Sequence, residues 1–275
     1  MLRLLNIEFH KLKHNRASRI LILAYFILLS CISLIAAIKF DFAEINFHLA
    51  EMGIFNFPYI WHLNTFVAAI LKFFLLLVIV SMMANEYSNK TLKQNLIDGL
   101  SKKEFVLSKF YTVIAFSAIS TLFVFVISLI LGYAYSDFTE LSIVTTDLEY
   151  LIAFLIKLIG FFSFGLFLGI LIKRSAFAAA FLIIWNFIEL MIKGLLHWKT
   201  DWNVDAVMRF LPLESMSNLI KEPLTRFSAV QSLTNQLGED LSKDYSVQIL
   251  DILIVSGWTF IFIYLSYRLL LKRDL

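Results

Sequence analysis

Long apolar runs separated by short polar stretches dominate the chain, and six of them reach or exceed the roughly 18 residues that mark a helix able to cross a bilayer. The runs are 20–38, 65–83, 110–133, 151–172, 176–196 and 249–271. All three prolines (Pro58, Pro212 and Pro223) fall between runs, so each run can be a continuous helix that satisfies its own backbone groups in lipid. The expected fold class is therefore an all-α integral membrane protein, a single six-span domain over residues 1–275. Three further elements punctuate it: an N-terminal segment, 1–19, a polar hairpin, 85–109, and a long connection, 197–248, before the last span.

Composition agrees with this pattern. Apolar residues make up 60% of the 275 and charged residues only 16%, with a mean hydropathy of +0.80, too little charge for a soluble surface. The single Cys31 lies inside the first run, which excludes a disulfide framework within one chain. Because the first run continues past Cys31 to Ile38, it reads as a span rather than a cleaved leader.

The net charge of +3 becomes informative only when sorted by loop. Arg3, Lys11, Lys13, Arg16 and Arg19 precede the first span, and Lys90, Lys93, Lys102, Lys103 and Lys109 mark the hairpin. Lys173 and Arg174 fill the turn after the fourth span, and Arg268, Lys272 and Arg273 end the chain. The alternate segments are acidic, with Asp41, Glu44 and Glu51 in one and Asp137, Glu140, Asp147 and Glu149 in the next. Excess Lys and Arg mark the cytoplasmic side, so both termini and the hairpin are expected there.

In residues 1–19, Leu2, Leu5, Phe9 and Leu12 share one helical stripe while most of the cations lie elsewhere. This suits an amphipathic helix at the membrane interface, touching anionic lipids; the plainer alternative is a basic topogenic tail. In the hairpin, Ser88 or Asn89 can cap a new helix, and Thr91-Leu92-Lys93-Gln94 has capping-box spacing. Leu92, Leu96 and Leu100 then form a narrow apolar ridge, Gly99 stops the helix, and Ser101-Lys102-Lys103-Glu104 is a second capping box launching the third span. A short helix between two sharp turns is more than a connector requires. It suits a surface gripped by a cytoplasmic partner, the bland alternative being a solvated loop with good caps.

The stretch NEYSNKTLKQNLIDGLSKKEFVLSK resembles the coupling segment of type-2 ABC exporter permeases, with Glu86-Tyr87, Thr91, Gly99-Leu100-Ser101 and Lys102-Lys103 matching that pattern. Lys90 stands where the family commonly has glycine, which bears on how tight that turn is. The resemblance implies a bacterial inner-membrane permease that pairs with a second permease copy or homologue and carries two cytoplasmic ABC ATPase subunits. ATP and Mg would then be bound by the partner, with no cofactor in this chain. Glu86, Tyr87, Thr91, Leu92, Leu96, Gly99 and Leu100 would be its coupling residues. Membrane lipids are expected contacts; nucleic acid is not.

The remaining motifs agree with that division of labour. There is no G-x-x-x-x-G-K-[ST] to cradle a nucleotide, no H-E-x-x-H, and the five histidines are scattered. Neither a catalytic residue nor a metal site is expected. Gly165-x-x-x-Gly169 in the fourth span allows close helix approach, within the subunit or at a dimer seam. Glu189 and Lys193, one turn apart in the fifth span, read either as a self-neutralising pair or as a polar patch at the exit of a pathway. Lys72 and Lys157 are expected to snorkel towards span ends, and Asp251 to lie near its boundary unburied. Segment 197–248 reads as short amphipathic helices broken at Pro212 and Pro223. Besides an export permease, a membrane-embedded enzyme and a passive recruiting scaffold remain alternatives.

Overall fold

The computed structural model describes residues 2–37, 40–42, 45–47, 53–199, 203–226 and 244–273. An N-terminal helix α1 (Leu2–His14) turns at Asn15 into α2 (Arg16–Ala37). A hairpin of β1 (Phe40–Phe42) and β2 (Ile45–Phe47) follows, antiparallel with Phe40 opposite Phe47. Next come α3 (Tyr59–Ser88), α4 (Thr91–Ile97), α5 (Lys102–Tyr135), α6 (Leu141–Val144), α7 (Glu149–Ile172) and α8 (Ser175–Lys199). The short helices α9 (Val204–Met208) and α10 (Pro212–Asn218), a 3-10 turn (Leu224–Arg226) and the long α11 (Ile249–Leu271) complete it. Six helices, α2, α3, α5, α7, α8 and α11, are long and apolar enough to cross a membrane. The fold is the expected helical one; the small β hairpin in the first connection had no counterpart in the apolar pattern.

The helices overrun the apolar runs that announced them. The run 65–83 belongs to a helix of 30 residues, α3, and 110–133 to one of 34, α5. At 1.5 Å per residue these are about 45 and 50 Å long, against a hydrocarbon core of about 30 Å. They are thus longer than a perpendicular crossing needs, and α4 is carried between the end of one and the start of the other. The chain can stay helical there because Ser101 and Glu104 form a reciprocal capping box at the start of α5.

At the centre of the bundle is α7, packed against α3, α5, α8 and α11. Its small residues determine how near the neighbours come. A methyl on Gly165 would sit 2.3 Å from Leu76 Cδ1, and one on Gly169 would sit 3.0 Å from Met83 Cβ, both on α3. Gly160 faces the other way, where a methyl would lie 2.8 Å from Val255 Cγ1 of α11. The two glycines of the motif thus serve packing within the subunit. Phe164 stacks on Phe262 of α11 at 4.5 Å between ring centroids.

Buried polar side chains add interhelical hydrogen bonds, which matter where apolar burial gives no preference between lipid and protein. Tyr25 of α2 pairs with Ser120 of α5. Asn64 of α3 donates to Ser128 of α5 at 2.9 Å. At the end of the bundle away from α4, side chains near the start of α3 fasten the connections. Trp61 Nε1 donates to the Val144 carbonyl at 2.9 Å, Tyr59 Oη donates to the Pro223 carbonyl at 2.9 Å, and a ring nitrogen of His62 meets the Lys221 carbonyl at 2.9 Å.

Gly165→Val is expected to push α3 from α7, at a cost of about 1–3 kcal/mol from overpacking. Gly194→Ala, where a methyl meets nothing within 4 Å, should be neutral or slightly stabilising. Thermal unfolding of detergent-purified protein, followed by size-exclusion fluorescence, should show a lower midpoint for the first variant only.

Candidate functional site: the polar end of the bundle

The polar hairpin is built outward from one carboxylate. Glu86 sits in the last turn of α3, and after Asn89 the chain reverses through Lys90, whose φ of +56° is in the left-handed region. That region favours glycine, so the turn is as tight as a glycine would make it although lysine occupies the position. The first expected capping box does not form: Lys90 is the N-cap and makes no side-chain cap bond. Instead Thr91 Oγ1 reaches back to donate to Glu86 Oε2 at 2.6 Å, joined by Asn95 Nδ2 at 3.4 Å. At the other end, Gly99 takes φ +96° and the Leu100 amide donates to the Asn95 carbonyl at 3.0 Å, closing α4 as expected.

The other oxygen of Glu86 accepts from two lysines, Lys11 Nζ of α1 at 2.8 Å and Lys109 Nζ of α5 at 2.6 Å. Lys109 is 0% exposed and also donates to Glu8 Oε2 of α1 at 2.6 Å. Its ammonium lies 5.0 Å from the Phe105 ring centroid. Two carboxylates and two ammoniums therefore compensate one another and join α1, α3, α4 and α5. The end of α11 closes the same region. Lys102 Nζ donates to the Arg273 carbonyl at 3.0 Å, and the Arg273 guanidinium donates to the carbonyls of Ile170 and Leu171 at the C-terminus of α7, where the helix dipole favours a cation. Tyr87 stands beside it, its ring 5.4 Å beneath Lys173 Nζ.

These contacts change the assignment of faces on two helices. The ridge of Leu92, Leu96 and Leu100, expected to meet a partner, turns inward: Leu92 is 2% exposed and the other two pack partly buried against the core. The outward face of α4 carries Lys93, Gln94, Ile97 and Asp98, with Ile97 70% exposed. The hairpin is too short to bury its leucines in itself, and the end of α3, against which α4 packs, is the nearest apolar surface. In α1 the stripe of Leu5, Phe9 and Leu12 likewise faces protein: Leu12 is buried and Phe9 lies 5.8 Å from the Phe116 ring of α5. Glu8 shares that face and is buried with it. A lone acid at position i+3 of an apolar stripe was the available signal for the cluster, together with Lys109 seven residues into α5.

At the far end of the bundle, Glu189 and Lys193 do not pair with each other. The Glu189 carboxylate accepts from the Leu213 amide at 3.0 Å and the Glu214 amide at 2.8 Å. These are free donors of the first turn of α10, which Pro212 opens rather than breaks. Trp185 Nε1 donates to the same carboxylate at 2.7 Å. Lys193 pairs with Glu214 at 2.8 Å, and Arg209 with Asp251, which is buried rather than exposed as expected. These charges clamp the connection onto α8 and α11, around a polar cavity of about 580 Å3. Lys157 is also buried instead of snorkelling, its Nζ 3.5 Å from the Ile220 carbonyl. Among the described residues, no group of His, Cys, Asp and Glu could hold a metal ion.

Six apolar spanning helices define a multi-pass membrane protein, and α4 is carried by two of them at the polar end. Residues 4–189, more than half of the chain, match the family model described as ABC-2 family transporter protein, and the chain belongs to that family. The match covers α1 to α7 and ends inside α8, so α9, α10 and α11 lie beyond it. Among curated proteins, none matches significantly.

Removing Lys109 tests the cluster. Lys109→Met leaves two buried carboxylates to share one ammonium, Lys11, which lies 2.8 Å from Glu86 but 3.8 Å from Glu8, and is expected to cost about 3–5 kcal/mol, read as a lower unfolding midpoint. Lys109→Met combined with Glu8→Gln should recover most of that loss, because Lys11 still neutralises Glu86. An unchanged midpoint in the single variant would show that the buried ammonium holds nothing together.

Proposed function

We propose that the chain is the permease subunit of an ABC exporter, with α4 the element through which a separate ATPase subunit drives it. Family membership supports the permease role. The observation that carries the mechanism is the Glu86 carboxylate, which bonds α4 to α1 and α5 at the end of α3 while the Ile97 face stays exposed. A partner that seats Ile97 in an apolar cleft, with Lys93 and Asp98 at its rim, would grip a helix with no slack at either end. Displacement of that partner then passes directly into the long helices α3 and α5.

In this scheme the chain performs no catalysis and holds no cofactor; ATP and Mg are bound by the partner. Two permease copies and two ATPase subunits make up the transporter. The hairpin, α1 and the end of α11 meet at one end of the bundle, and the excess of Lys and Arg there supports its assignment to the cytoplasmic side of a bacterial inner membrane. The positions of α1 and its outward cations support contact with lipid head groups at that interface.

Ile97→Asp should leave the protein folded, because the side chain is exposed, yet reduce co-purification of the ATPase and its stimulated hydrolysis roughly tenfold or more, as expected for a central apolar anchor. Leu92→Asp should instead lower the unfolding midpoint of the permease alone, since it buries an unpaired charge. Normal stimulation by the Ile97→Asp protein would rule out α4 as the coupling element.

Orientation has its own test. In a Cys31→Ser background, Asn95→Cys and Asp147→Cys should react with an impermeant thiol reagent from opposite faces of the membrane. Labelling of both from one face would refute the topology.

A further inference from the structure

A cavity of about 260 Å3 lies between α3, α7, α8 and α10 and plays no part in the coupling scheme. Two lysines line it, Lys72 from α3 and Lys157 from α7. Lys157 is 4% exposed and its ammonium has one carbonyl contact, Ile220 at 3.5 Å. Lys72 is half-buried and lies 4.7 Å from the centroid of the Phe161 ring. Among the described residues, neither ammonium has a carboxylate within salt-bridge distance. Other cations of the bundle have carboxylate partners: Lys109 has Glu86, Lys193 has Glu214 and Arg209 has Asp251. Two uncompensated cations facing one half-open cavity, inside spanning helices, are costly to maintain.

The remaining lining identifies what would compensate them. Asn186 and Ser217 add neutral hydrogen-bonding groups beside the two cations, which suits an oxyanion. The rim includes Ile70 and Ile183, 64% and 45% exposed and well inside their spans, so the opening faces the apolar layer. The volume is below the roughly 300–1,000 Å3 of pockets that enclose a drug-sized ligand, enough for a head group with its tails left outside. We propose that this cavity binds the anionic, phosphate-bearing head group of a membrane amphiphile, which enters sideways from the bilayer and places its oxyanion between Lys72 and Lys157.

The binding claim needs no ATPase and stands apart from the coupling role of α4, so either can fail alone. The test uses the full chain in neutral detergent, with dioctanoyl-phosphatidylglycerol, dioctanoyl-phosphatidylcholine and inorganic phosphate as probes, and thermal shift and native mass spectrometry as readouts. The anionic lipid should bind roughly tenfold more tightly than the zwitterionic one, about 1.4 kcal/mol, and inorganic phosphate at the same concentration should not compete. Lys72→Met/Lys157→Met should abolish the preference. Ser217→Trp, which fills the cavity and leaves both lysines in place, should abolish it as well and guards against a folding defect in the double variant. Equal binding of the two lipids by the unaltered chain, a preference that survives both variants, or effective competition by inorganic phosphate would overturn the proposal.

Discussion

The ammonium of Lys109, shut away from water between Glu8 and Glu86, is the contact on which the polar end of this protein depends. An ion buried this fully is stable only when its partners are fixed and close. Both partners lie within 2.6 Å and come from different helices, α1 and α3. Satisfying one charge therefore fixes three helices relative to one another. Thr91 and Asn95 use the remaining oxygen of Glu86 to bring in a fourth, α4. The position of α4 thus follows from the electrostatics of a residue on α5, not from its own capping, which at its N-terminus is weak.

Helix α3 extends this constraint along the molecule. Glu86 is in its last turn, and near its start Tyr59, Trp61 and His62 hold the connections at the opposite end. Between them, Gly165 and Gly169 of α7 let Leu76 and Met83 approach almost to the α7 backbone. Interlocking at that distance leaves little room for α3 to bend or slide independently. A force applied at the hairpin would therefore be shared between α3 and α7 rather than absorbed in loose packing.

The far end uses charge differently. Glu189 is a buried carboxylate in a spanning helix, and it is compensated by two backbone amides at the first turn of α10 and by an indole N–H, with no cation. Proline at the first helical position contributes no donor, so the two amides that follow are the ones left for the carboxylate. The start of α10 is thereby held against α8. Residues 200–202 and 227–243 of the expected outer segment lie outside the described residues.

The sequence by itself determined the number of spans, the short helix between sharp turns, the capping box at Ser101 and the stop at Gly99, because each depends on local periodicity or on backbone preferences of neighbouring residues. It also marked Gly165 and Gly169 as sites of close approach. Only the tertiary structure decided which side of a short amphipathic helix is inside. Leu92, Leu96 and Leu100 fit a partner's groove or their own protein equally well by spacing, and the nearby end of α3 settled the matter. Charge partners were equally beyond local reading: Lys109 meets Glu8 across 101 residues of chain, while Glu189 and Lys193, one turn apart, bond to α10 instead of each other. Helical spacing says which side chains can meet, but a buried charge pairs with whichever donor or acceptor the packed helices bring within about 3 Å, and that is a property of the assembled bundle.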